Sequence, residues 1–154
     1  MSSSTTSSNR QDYLKAILSL ELRGLKASTS AISEKLSTQP ASVTGMLRVL
    51  SGNDLIEYIP YQGAKLTLEG RDEAIFLLRK HRLWETFMVE KLGFGWDEVH
   101  DVAEQLEHVD SQKLISKLDA FLGFPRFDPH GDPIPDSQGV LADRSTLVGV
   151  NEIA

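Results

Sequence analysis

The chain has 154 residues, 40% of them hydrophobic and 25% charged, which is the composition of an ordinary globular protein of one domain or two small ones. It contains no cysteine, and this excludes disulfide scaffolds, cysteine nucleophiles, thiolate zinc sites and iron–sulfur clusters. The formal charge of -6 argues against a polyanionic partner, but residues 1–80 carry +2 and residues 81–154 carry -8, so the first half stays open to nucleic acid.

No apolar run approaches the roughly 18–20 residues needed to cross a bilayer, so no membrane partner is expected. Residues 1–9 are dominated by Ser and Thr. They lack the apolar stretch of a secretory signal and read as a short disordered arm, which makes the cytoplasm the expected location.

From Arg10 the pattern is helical, with Tyr13, Leu14, Ile17, Leu18 and Leu20 in an apolar stripe that ends near Gly24. A short helix follows, capped by Thr29 or Ser30 and running to about Leu36. Pro40 then opens a third helix, on which Val43, Met46, Leu47 and Leu50 point inward, and which stops at Ser51-Gly52-Asn53. Two short helices around so brief a turn are the signature of a helix-turn-helix. The runs Leu55–Ile59 and Ala64–Thr67 flank Pro60-Tyr61-Gln62-Gly63 and read as a hairpin. A hairpin in that position makes a winged helix, with a generic small α/β element as the alternative.

Thr67 caps a long helix from about Glu69 to Lys91, broken by Gly93 and Gly95. Another helix runs from Trp96 or Asp97 to about Val109. A last one carries Leu114, Ile115, Leu118, Phe121 and Leu122 and stops at Gly123. Beyond it lies a Pro- and Asp-rich loop or extended arm, with weak signals for further structure from Leu141 to Ala154.

The chemistry concentrates in two helical stripes. Residues three or four apart share a helix face, so His100, Glu104, Glu107 and His108 line one stripe, and His81 and Glu85 pair on the preceding helix. Imidazole nitrogens and carboxylate oxygens together suit a divalent metal. A solvated face of ordinary charge pairs is the plain alternative, and a helical di-metal enzyme is another. No H-E-x-x-H, nucleophile elbow or phosphate-cradling loop is present, and no small organic substrate is expected. On the third helix, Gln39, Pro40, Ala41, Ser42, Thr44 and Arg48 are the candidate DNA-facing residues. Lys65, Tyr61 and Gln62 lie in the wing. Basic residues are sparse there, so binding by a monomer would be weak and salt-dependent.

Five segments carry a resemblance in their order along the chain: Gln11-Asp12-Tyr13-Leu14, Pro40-Ala41-Ser42-Val43-Thr44, Leu66-Thr67-Leu68-Glu69-Gly70, Arg79-Lys80-His81-Arg82-Leu83, and Val99-His100-Asp101 through Glu107-His108-Val109. Over about residues 10–135 the chain resembles the DtxR/MntR family of iron- and manganese-dependent transcriptional repressors. The resemblance implies a mainly α fold with a small β-hairpin. In it an N-terminal winged helix-turn-helix domain (10–72) is followed by a helical metal-binding and dimerisation domain (73–135) and a C-terminal tail (136–154).

It also implies a homodimer that binds double-stranded operator DNA when loaded with divalent metal, at about two sites per subunit. Carried over by position, one site takes Asp12, Glu104, Glu107 and His108, and the ancillary site takes His81, Glu85 and His100. Iron-type members tend to carry Cys or Met in the first site. An all-oxygen-plus-imidazole set suits Mn²⁺, with Fe²⁺ as competitor. Lys15 stands where manganese-type members often have a second acidic ligand, which favours the separate ancillary site over a closely spaced pair. The chain ends before the SH3-like domain of longer members would fit, leaving water or a tail residue to complete that site. His130, in the tail, reads as a surface residue.

Overall fold

The computed structural model describes residues 2–141; the weak signals predicted from Leu141 onward fall, beyond that residue, outside the described residues. The elements are α1 (Ser2–Leu22), α2 (Thr29–Leu36), α3 (Pro40–Gly52), β1 (Ile56–Ile59), β2 (Gly63–Leu66), α4 (Leu68–Leu92), α5 (Trp96–Leu106) and α6 (Gln112–Phe121). The chain divides into two compact units, Met1–Ile75 and Phe76–Ala154, so the division falls within α4. No described helix is long and apolar enough to cross a membrane.

In the first unit, α1 packs on α2, α3 and β2. Its Leu14, Ile17 and Leu18 are fully buried, as are Ile32 of α2 and Val43, Leu47 and Leu50 of α3. Met46, predicted to face inward, is only half-buried. α1 begins at Ser2, where the sequence reading placed a disordered arm up to residue 9. Neither Gly nor Pro interrupts residues 2–9, and extending a helix already nucleated by an apolar stripe costs little per residue.

The cap of α2 is Ser28, whose hydroxyl accepts from the Ala31 N–H at 3.1 Å, rather than Thr29 or Ser30. The turn into α3 passes through Ser37 at φ 51°. There the Ser33 hydroxyl donates to the Thr38 carbonyl, and the Thr38 hydroxyl donates to Leu36 at 3.1 Å. Buried Tyr13 reaches the same turn through a hydrogen bond with Thr38.

β1 and β2 pair antiparallel, Ile56 opposite Leu66 and Ile59 opposite Gly63, and Ala27 adds a bridge to Ala64. Gly63 sits at φ +116°, and a Cβ there would lie 2.4 Å from the Ala27 carbonyl oxygen. Close backbone approach therefore dictates glycine at this position. At the wing tip Tyr61 is fully exposed. Thr67 caps α4 as predicted, its hydroxyl accepting from Gly70 N–H at 3.1 Å and donating to Asp54 at 2.8 Å.

The second unit has two small cores. Leu83, Ile115, Leu118 and Ile134 form one; Met88, Val99 and Ala103 form the other, and Trp84 and Phe87 pack against both. A buried ion pair, Arg79 with Asp119 at 3.0 Å, joins α4 to α6. Arg79 also donates to the Pro135 carbonyl at 3.1 Å, and Arg82 donates to that of Pro133. These contacts hold the Pro-rich segment after α6 against α4. That segment is ordered through residue 141, as a loop with one isolated bridge, Phe127 to Pro133.

α5 ends at Leu106, short of the predicted Val109. Glu107 is its C-cap, still in right-handed helical geometry, with its N–H bonded to the Ala103 carbonyl. Ser111 then caps α6, accepting from Leu114 N–H at 3.1 Å.

Candidate metal centre

His81 and Glu85 occupy successive turns of α4, and α5 brings His100 against them. His81 Nε2 lies 3.2 Å from Glu85 Oε2 and 3.2 Å from His100 Nδ1, and His100 Nδ1 lies 3.4 Å from Glu85 Oε2. The three offer ligand atoms all within 4.8 Å of one another, His81 and Glu85 buried and His100 exposed. The i,i+4 pair on α4 thus lies against His100 of the α5 stripe. Burial raises the affinity of the Glu85 carboxyl for its proton, but hydrogen bonds and charge from His81 and His100 outweigh this and hold its pKa below the ordinary carboxylate value.

The remaining predicted α5 ligands divide. Glu107 is fully buried; its Oε1 lies 2.5 Å from His81 Nδ1 and its Oε2 lies 3.9 Å from His108 Nε2. His108, just past the end of α5, is half-buried. The exposed Glu104 turns instead to His100 Nε2, at 2.7 Å. Asp12, half-buried on α1, belongs to the first unit.

Asp128 was not singled out from the sequence, and His130 was read there as a surface residue. Asp128 and His130 join Glu85 in a second group, with ligand atoms again within 4.8 Å of one another. The loop builds this itself. Asp128 Oδ1 accepts from the N–H groups of His130 at 2.9 Å and Asp132 at 2.8 Å, an Asx turn, while Oδ2 faces His130 Nδ1 at 4.0 Å. His130 Nδ1 lies 4.0 Å from Glu85 Oε1, and its ring meets the edge of Trp96 with centroids 4.3 Å apart. His130 is exposed, as read from the sequence, and its ring lies beside Glu85 and Asp128. Burial raises the Asp128 pKa, opposed by the hydrogen bond from Asp132 and by Arg82 and reinforced by the charges of Asp132 and Glu85.

The donor set is chemically coherent. Oxygen and imidazole nitrogen supply the candidate ligand atoms, and buried carboxylates need a cation or donors to be tolerated. This set fits a borderline-hard divalent ion such as Mn²⁺ or Fe²⁺.

On the first unit, α3 presents Gln39, Pro40, Ala41, Ser42 and Arg48 as exposed residues. Thr44 is half-buried, its hydroxyl donating to the Pro40 carbonyl at 3.2 Å. This local bond occupies the hydroxyl hydrogen but leaves the oxygen's lone pairs available. Lys65 is exposed on β2.

Comparison with known proteins gives two matches to one family along the chain. Residues 5–64 match the iron dependent repressor N-terminal DNA binding domain. Residues 67–136 match the iron dependent repressor metal binding and dimerisation domain. The iron-dependent repressor IdeR of Mycobacterium leprae is 34% identical over 123 residues, 80% of this chain and 54% of that protein. The diphtheria toxin repressor of Corynebacterium glutamicum is 32% identical over 123 residues, with the same coverage of 80% and 54%. Among solved structures, a manganese-dependent transcriptional repressor in complex with manganese superimposes with TM-score 0.79 at 41% identity, covering 87% of this chain and 62% of that one. The manganese regulator SloR does so with TM-score 0.79 at 39% identity, over 88% and 63%. The chain thus spans about half the length of the curated relatives it matches. On these matches to both halves, the chain belongs to the DtxR/MntR family of iron- and manganese-dependent transcriptional repressors, a family of regulators and not of enzymes.

Proposed function

We propose that the protein is a cytoplasmic, homodimeric repressor of metal-uptake genes that binds operator DNA when loaded with Mn²⁺. The observation that carries this reading is the His81–Glu85–His100 cluster, built around a buried carboxylate in the half of the chain that follows a winged helix. In this reading His81, Glu85 and His100 hold the ancillary ion, with Asp128 and His130 as further donors beside Glu85. Glu107 and His108, with Glu104 and Asp12, hold the other ion, a set carried over from the family resemblance. Glu104 is exposed and pairs with His100, so joining that set means giving up this contact.

When bound, the divalent ion supplies positive charge and fixed coordination directions; the residues do the rest. Asp12 stands one residue before Tyr13, which hydrogen-bonds the turn leading into α3. Restricting Asp12 therefore restricts the segment that presents the reading helix, a population shift toward the DNA-competent state. Gln39, Pro40, Ala41, Ser42 and Thr44 lie at the N-terminal end of α3, the end that meets base edges in helix-turn-helix proteins. In this reading the exposed Arg48 and Lys65 contact phosphates.

Manganese is favoured by the absence of cysteine, by proposed ligand sets made of carboxylates and imidazoles, and by the 41% identity to a manganese-dependent repressor. Fe²⁺ is the second reading, favoured by the iron-dependent relatives at 34% identity. The test is anisotropy of a labelled palindromic operator from the protein's own promoter, with Mn²⁺, with Fe²⁺ under anaerobic conditions, and with chelator. Tight binding with Mn²⁺ and its loss in chelator are expected, and Glu107→Ala or His108→Ala should abolish the response. Equal affinity with and without metal would overturn the metal switch. Activation by Fe²⁺ alone would replace manganese with iron.

A further inference from the structure

Two N–H groups of the wing are taken up by α1 and the turn that follows it. The Ala64 N–H donates to the Ala27 carbonyl at 2.9 Å, and the Leu66 N–H donates to Glu21 Oε2, also at 2.9 Å. These residues stand two apart on β2, so both groups point to the same edge of the strand, the one away from β1. A two-stranded hairpin with strands of four residues is marginal by itself. Its direction is therefore set by what holds that outer edge.

Glu21 is itself held in place. It lies in the last turn of α1, where the Gly24 N–H donates to the Glu21 carbonyl at 3.0 Å and the Leu25 N–H to that of Leu20 at 2.9 Å. With Gly24 at φ 72°, this is a Schellman cap. The second carboxylate oxygen, Oε1, lies 3.8 Å from Arg71 near the start of α4. An acid in the last turn of a helix opposes the helix dipole, so α1 alone disfavours glutamate at this position. The contacts that favour it run to β2 and α4. Between the two anchored residues of β2 stands Lys65, exposed.

We propose that Glu21 is a positioning residue for DNA binding, its carboxylate fixing the edge of β2 so that Lys65 meets a phosphate. The inference rests on the reading above in which Lys65 contacts phosphate, and it adds what aims that contact. It also fixes a sign. Removing an acid from a DNA-binding unit relieves repulsion and ordinarily tightens binding, whereas losing this one weakens it.

The experiment separates reach from charge. Glu21→Gln keeps the reach and an acceptor oxygen but drops the charge; Glu21→Asp keeps the charge but shortens the arm by one methylene. Binding of the full chain, loaded with Mn²⁺, to a labelled duplex from the protein's own promoter is followed by anisotropy at several salt concentrations. Glu21→Gln is expected to bind at least as tightly as the wild type. Glu21→Asp and Glu21→Ala should bind about tenfold more weakly, roughly what a hydrogen bond to a charged group contributes, with the salt slope lowered by about one. In the Glu21→Asp background, Lys65→Ala should then cost little more. Amide exchange at Leu66 should quicken in Glu21→Asp and stay slow in Glu21→Gln. Circular dichroism and counting of free Mn²⁺ check that each variant folds and loads as the wild type does, and the Asp and Gln variants carry the test if Glu21→Ala does not fold. Wild-type affinity in Glu21→Asp, tighter binding by Glu21→Ala, or a Lys65→Ala cost of equal size in both backgrounds would each overturn the proposal. A Lys65→Ala protein with wild-type affinity and slope would instead remove the phosphate contact of Lys65, and the positioning role with it.

Discussion

Replacing Asp119 with alanine probes what holds the second unit together. Arg79 and Asp119 are 4% and 9% exposed and meet at 3.0 Å. Without the carboxylate, the guanidinium keeps one charge partner fewer in a dry site, with the Pro135 carbonyl at 3.1 Å still accepting from it. Arginine cannot escape by losing its proton. Breaking a buried pair from one side costs about 3–5 kcal/mol, whereas an exposed pair is worth about 0–1 kcal/mol. Against a total stability of about 5–15 kcal/mol, the loss is a large fraction. Both tryptophans, Trp84 and Trp96, lie in this unit, so urea unfolding followed by tryptophan fluorescence reads it directly. Chelator and a fixed protein concentration remove linkage to metal and to self-association. The double variant Arg79→Met with Asp119→Leu, which removes both charges, is expected to recover most of the loss. A single-variant cost below about 1 kcal/mol, or a double variant no more stable than Asp119→Ala, would refute the argument.

Three other outcomes are expected. Gly70→Ala places a Cβ 1.9 Å from the Leu55 carbonyl oxygen, so α4 must shift from the hairpin at a cost of about 1–3 kcal/mol or more. Gly45→Ala, where a Cβ meets nothing within 4 Å, instead stabilises by about 0.5–1 kcal/mol; thermal melts of the pair check both. Arg48→Ala weakens binding to every DNA sequence and lowers the salt slope by about one, and an unchanged slope would remove Arg48 from the phosphate contacts. Burial raises the Tyr13 hydroxyl above its ordinary 10.0, partly opposed by the bond with Thr38. Its folded pKa exceeds the unfolded one, so its contribution is fully present below about pH 10 and lost as pH rises through the folded value. Tyr13→Phe should flatten the alkaline limb of a stability–pH profile, and an unaltered limb would show that another group sets it.

What was legible in the sequence was local. His81 and Glu85 are four residues apart on one helix, and that spacing alone placed them on one face. Pro40 and Thr67 marked helix starts through chemistry confined to a single turn. The rest lies where tertiary contacts decide. Glu107 follows the helical register of the α5 stripe, yet its burial and its bond to His81 depend on α4. Glu104, on the same face, is exposed and pairs with His100. Asp128 and His130 reach Glu85 only because Arg79 and Arg82 fasten their loop, a connection across more than forty positions that no periodicity records. A signal was nevertheless present. The run Asp128-Pro129-His130-Gly131-Asp132 is an Asx turn by composition, and a histidine held inside a turn between carboxylates invites a ligand reading.

The way that loop is fastened has an evolutionary consequence. Its anchors are the main-chain oxygens of Pro133 and Pro135, gripped by side chains of α4. A carbonyl persists whatever side chain its residue carries, so the anchorage is indifferent to many substitutions along the loop. Donor chemistry at position 130 can therefore drift by single mutations while the loop keeps its place, whereas Asp128 also closes the turn itself. Metal preference at this edge of the centre is thus open to selection separately from the stability of the fold that carries it.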